Sequence, residues 1–130
     1  MSAFAITNAR IFDGTDFLDG KSVIVRDGNV DKIVDAAALP ADLTVIDGNG
    51  QMLAPGLIDV QVNGGGGVLL NDQPTVDGVR AIMQAHRKYG TTAMLPTLIT
   101  DHRGKMETAI AAVTDAIDAG VPGIVGIHLE

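Results

Sequence analysis

The chain has 130 residues, 46% of them hydrophobic, with a net charge of −7 and no cysteine. That length supports a domain with its own core. The acidic balance excludes a phosphate-backbone binder of nucleic acid but leaves room for a small phosphorylated ligand, and the missing thiols exclude disulfides and thiolate metal sites. No apolar run nears ~20 residues, so no membrane-spanning segment is expected. The first residues, MSAFAITNAR, lack the basic-then-apolar order of a signal peptide, which makes a cytoplasmic protein the expectation.

Residues 1–52 read as short strands and tight turns, a small β-domain. Phe4 to Ile6 begins one strand, and Ile11-Phe12 runs into the turn Asp13-Gly14. Lys21 to Arg26 (KSVIVR) and Val30 to Val34 flank Asp27-Gly28-Asn29, and Asp-Gly between two such runs signals a hairpin. Val45-Ile46-Asp47-Gly48 is one more short strand and turn.

Residues 53–130 have a different rhythm. Leu57 to Val62 is a strand with polar residues at alternate positions, Asp59, Gln61 and then Asn63, which puts these three on one face and Ile58, Val60 and Val62 on the other. Such a strand is expected to be buried on both faces. Gly64 to Gly67 follow as a flexible loop after the strand. Thr75 is the expected cap of a first helix whose apolar residues Val76, Val79, Ile82 and Met83 recur at helical spacing, with Gly90 as its stop. Thr91 to Leu98 (TTAMLPTL) is a second strand. Thr100 or Asp101 caps a second helix with the stripe Met106, Ile110, Val113 and Ile117, ended by Gly120 and Pro122. Ile124 to Leu129 is a third strand. The order β-α-β-α-β with crossover-length helices gives parallel strands in an α/β fold, open or closed.

Glu130 is the sharpest candidate for chemistry, because a carboxylate at the C-terminal end of a parallel strand stands where α/β enzymes place ligands and bases. His128 precedes it by two residues on the same face. His86 on the first helix reads as a surface or boundary residue, and His102 as a neutral aid to the second helix cap; no HxH or HExxH pairing joins any of the three. Gln61 and Asn63 stand where histidines would make a metal-binding pair. Their carboxamides are poor zinc ligands but good orienters of a water, a sugar hydroxyl or an amide. The glycine run is neither GxGxxG nor a Walker loop, so a dinucleotide site is not expected.

The strings APGLIDVQVNGGGGVLLND (54–72), LPTLIT (95–100) and GIHLE (126–130) resemble the N-acetylglucosamine-6-phosphate deacetylases, a family of the amidohydrolase superfamily. The resemblance implies residues 1–52 as the N-terminal part of a small β-sandwich and residues 53–130 as the first βαβαβ units of a (β/α)8 TIM-like barrel. It implies hydrolysis of the acetamido group of N-acetylglucosamine 6-phosphate to glucosamine 6-phosphate and acetate. It also implies one divalent metal per subunit, Zn2+ by preference, with Glu130 as a ligand and Gln61, Asn63 and His128 at the active-site mouth. The other ligands, the general base and the substrate contacts would lie beyond residue 130, so the chain by itself is expected to be inactive. A homo-oligomer is implied for the full-length family. Another amidohydrolase acting on an N-acyl sugar or cyclic amide, and a non-catalytic βα domain that binds a metabolite, are the alternatives.

Overall fold

A computed structural model describes residues 2–130 and divides the chain into two compact units, residues 1–55 and 56–130. The first unit holds seven strands in two sheets. Strands β1 (Ala3–Thr7), β4 (Lys21–Arg26), β5 (Asn29–Asp35) and β6 (Thr44–Asp47) form a sheet of order β5-β4-β1-β6. Strands β2 (Arg10–Phe12), β3 (Phe17–Leu18) and β7 (Met52–Leu53) form the other, in the order β3-β2-β7. The hairpin expected at Asp27-Gly28 is present. Both turn residues take positive φ, 48° and 82°, the geometry whose twist matches that of the flanking strands. The β4–β1 and β4–β5 pairings are antiparallel, whereas β1 and β6 pair in parallel.

The two-residue strands β3 and β7 carry no alternation long enough to read, and each exists through its pairing with β2. Ile6, Ile11, Val23, Val25, Ile33 and Leu53 line an apolar cavity of about 310 Å³ between the two sheets. Aspartates punctuate the turns. Asp13 accepts the N–H groups of Asp16 and Thr15, and Asp47 accepts that of Asn49 and the side chain of Asn8, so both carboxyls titrate below their ordinary value.

The second unit is β8 (Leu57–Val62), α1 (Val76–Arg87), β9 (Thr91–Leu98), α2 (Arg103–Asp118) and β10 (His128–Leu129), an α/β arrangement. All its strands are parallel, with β9 in the centre. Helices α1 and α2 cover one face of this sheet, and Val62, Leu70, Val79, Ile82, Met94, Leu98 and Val113 form a contiguous buried core with them. Each such side chain contributes roughly 1.5–3 kcal/mol of burial free energy. Thr75 caps α1 as expected, its hydroxyl accepting the Gly78 N–H at 3.1 Å.

Several expectations are corrected. Strand β8 is not buried on both faces: Leu57, Ile58 and Val60 are 62%, 71% and 62% exposed, since no layer among the described residues covers them, and β8 also stands at the sheet edge, paired only with β9. Its alternation is also interrupted. Between the pairs Asp59–Met94 and Val62–Pro96 it advances three residues against two, a bulge that a reading by twos does not foresee. The third strand is shorter than Ile124 to Leu129. Ile124 makes only an isolated bridge to Met94, and the regular ladder resumes at His128. The cap of α2 is His102, whose Nδ1 accepts the Lys105 N–H at 3.2 Å. Thr100 and Asp101 are occupied elsewhere: the Thr100 hydroxyl donates to the Glu130 carbonyl, and the Asp101 carboxylate accepts the His102 N–H.

Candidate active site

The three parallel strands of the second unit end on the same side, and Gln61 and Glu130 meet there. Glu130 follows β10 directly. Its N–H donates to Leu98 O at 3.1 Å, and its carbonyl accepts the Thr100 Oγ1 hydroxyl at 2.9 Å. The main chain at Glu130 is therefore held by two residues at the end of β9, while its side chain stays exposed. Gln61 Nε2 donates to Glu130 Oε2 at 3.4 Å, so the structure brings Gln61 and Glu130 together across 69 residues of sequence. Glu130 takes part in no ion pair among the described residues.

Asn63 is exposed and makes no side-chain hydrogen bond among the described residues, so it is not drawn into the Gln61–Glu130 contact. His128 is half-buried and pairs in register with Thr97 on β9. The Thr97 hydroxyl is buried without a hydrogen-bond partner among the described residues, an arrangement that costs about 1–3 kcal/mol.

The glycine loop is tied down. Gly64 N–H donates to Val62 O, and Gly65 and Val68 exchange two bonds at 2.9 and 3.1 Å. His86 Nε2 lies 2.9 Å from Gly64 O, which makes it the protonated nitrogen. A Cβ on Gly65 would come within 2.8 Å of that same nitrogen, so the loop packs closely against α1 and His86 would have to shift to admit a larger residue there. Two of the loop's amides are thus engaged, which agrees with the absence of a phosphate-cradle motif. His86, expected as a boundary residue, anchors this loop.

Two further side chains were not singled out by sequence reasoning. Asn71, in the turn before α1, bonds to Ile99 and Asp101 in the loop after β9. Asp101 accepts the His102 N–H and an Asn71 N–H, and with Lys105 nearby its carboxyl is held below the usual carboxylate value. Thr97 is the other. The only available signals were an Asn at the close of a glycine loop and a threonine beside a strand proline, neither of which names a partner.

Among the described residues no three His, Cys, Asp or Glu side chains converge closely enough to hold a metal. A catalytic zinc takes three protein ligands, so the described residues do not by themselves assemble such a site.

A family model described as "NagA composite domain" matches residues 3–53. Over 78 residues, 60% of this chain, the sequence is 59% identical to an N-acetylgalactosamine-6-phosphate deacetylase of Shewanella sp. (strain ANA-3). Over 127 residues, 98% of this chain, it is 30% identical to the N-acetylglucosamine-6-phosphate deacetylase of Haemophilus influenzae. The crystal structure of the N-acetylglucosamine-6-phosphate deacetylase from Pasteurella multocida superposes on 98% of the chain with a TM-score of 0.94 and 31% identity. The chain is similar over nearly its whole length to N-acetylglucosamine-6-phosphate deacetylases. It spans 20% and 33% of the length of those two relatives and 34% of the solved deacetylase. The likeness to the solved deacetylase thus extends over both the all-β first unit and the α/β second unit. No helix among the described residues is long and apolar enough to cross a membrane.

Proposed function

We propose that the protein containing this chain hydrolyses the acetamido group of N-acetylglucosamine 6-phosphate, giving glucosamine 6-phosphate and acetate. The observation that carries the proposal is Glu130, whose main chain is held at the end of a parallel strand with its carboxylate exposed beside Gln61, in a chain related over nearly its whole length to a deacetylase of this substrate. In this reading residues 1–52 contribute to a β-sandwich, and residues 53–130 open a (β/α)8 barrel with β8, β9 and β10 as consecutive staves. β8 is an edge strand with exposed apolar side chains, and barrel closure would pair its free edge. One Zn2+ per subunit, a homo-oligomeric assembly and a cytoplasmic location belong to the same reading.

Glu130 is the anionic metal ligand supplied by this chain. When bound, a divalent ion in such a site lowers the pKa of water and polarises the amide carbonyl. Gln61, whose Nε2 already reaches Glu130, orients that carboxylate and leaves its carbonyl oxygen to accept from a water or a sugar hydroxyl. Asn63 and His128 line the same mouth, His128 one layer deeper. The net reaction joins a water oxygen to the acetyl carbon and breaks the C–N bond, the amine departing with a proton.

A second reading, the C4 epimer N-acetylgalactosamine 6-phosphate as substrate, is favoured by the 59% identity to the Shewanella deacetylase. The complete gene product, loaded with Zn2+, should release acetate from one of these epimers, and Glu130→Gln should lower that rate at least ~100-fold, the scale of removing a group that stabilises the transition state. Acetate release from neither sugar, or a rate unmoved by Glu130→Gln, would overturn the assignment.

A further inference from the structure

Asn71 makes three hydrogen bonds with one carboxamide, all to the loop between β9 and α2. Its Oδ1 accepts the Ile99 N–H at 3.0 Å, and its Nδ2 donates to Ile99 O at 2.8 Å and to Asp101 Oδ2 at 3.1 Å. Both polar groups of the Ile99 main chain are therefore satisfied by a side chain, as a neighbouring strand would satisfy them. The residues on either side of Ile99 are the two that hold Glu130: Leu98 O accepts its N–H, and Thr100 Oγ1 donates to its carbonyl. We propose that Asn71 is a positioning residue, clasping Ile99 so that Leu98 and Thr100 fix where the Glu130 carboxylate stands at the mouth. The inference rests on Glu130 being a metal ligand, and it adds a residue that acts through another.

The chemistry is particular to asparagine. Alanine removes all three bonds. Aspartate keeps the shape but offers only acceptors, setting the oxygen that replaces Nδ2 against both Ile99 O and the ionised Asp101 carboxylate while the other still accepts the Ile99 N–H. The aspartate variant is accordingly the more disruptive of the two, although it is the closer isostere.

The test uses the complete protein, with Asn71→Ala, Asn71→Asp, Thr100→Val, Thr100→Ser and Glu130→Gln. Three quantities are read: Zn2+ affinity by competition with a chromogenic chelator, amide hydrogen exchange at Ile99 and Glu130, and kcat and KM separately. Asn71→Asp should weaken Zn2+ binding about 10- to 100-fold, the usual effect of losing a group that orients a ligand. Exchange at the two amides should quicken about tenfold, with kcat reduced and KM little changed. Thr100→Val should share the loss of Zn2+ affinity, and Thr100→Ser, which keeps the hydroxyl, should not. Folded Asn71→Asp or Thr100→Val protein with wild-type Zn2+ affinity and wild-type exchange at Glu130 overturns the inference; should Asn71→Asp fail to fold, the Thr100 pair decides it. Wild-type Zn2+ affinity in Glu130→Gln would instead overturn the ligand assignment, leaving the exchange data to judge the clasp alone.

Discussion

Gly123 leads the chain from α2 into the segment that ends at Glu130, and its replacement by alanine separates two kinds of backbone cost. Its φ is +85°, and a Cβ there would come within 2.6 Å of both Thr92 O and Met83 Cε. Gly120, three residues earlier, has φ +69° and nothing within 4 Å of the same added atom. Both alanine variants incur the left-handed penalty of about 1–2 kcal/mol. Only Gly123→Ala adds an overlap. Met83 Cε ends a flexible side chain and can swing away, but Thr92 O belongs to the central strand, and Gly123 O already accepts the Met94 N–H at 2.8 Å. Relief therefore strains the β9 ladder, at about 1–3 kcal/mol. Gly123→Ala should cost about 2–5 kcal/mol in total and Gly120→Ala about 1–2, a gap of roughly 1 M in the urea midpoint. Urea titration of the purified protein followed by far-ultraviolet circular dichroism measures both. Equal midpoint shifts for the two variants would refute the steric half of the argument, and a silent Gly123→Ala would refute all of it.

Thr97→Val replaces an orphaned buried hydroxyl by a methyl of the same shape and should raise stability by about 1 kcal/mol, read from the same titration. The depressed carboxyl of Asp101 contributes stability that is fully present above its unfolded value of about 3.9 and is lost as pH falls through its lower folded value. The melting-temperature difference between wild type and Asp101→Asn should therefore be constant above pH ~5 and shrink below pH ~4; a difference that stays unchanged down to acid pH would count against this role of Asp101.

The elements legible in the sequence were those whose cause is local. The period-3.6 spacing of the helices, the Asp27-Gly28 turn and the Thr75 cap all act within a few residues, and the structure shows each of them. What the sequence did not disclose depends on partners far along the chain. The β8 bulge is defined only against β9, and the cap of α2 moved to His102 because Thr100 and Asp101 are claimed by Glu130 and His102. Glu130 and Gln61 could be named from their places at strand ends, but their contact spans 69 residues and had no local signature. Asn71 was invisible for the same reason, since its role lies in loop residues 28 and 30 positions away.

The mixed pairing of the first sheet also sets an order of events during folding. The hairpin of β4 and β5 closes through a two-residue turn, which places it among structures that form in about 1–10 μs. The parallel pairing of β1 with β6 joins Phe4 to Thr44, and closing a loop of about 40 residues costs roughly 2 kcal/mol more entropy than closing one of four. Strand β6 pairs with β1 and with no part of the hairpin, so the long loop closure falls on that pairing alone.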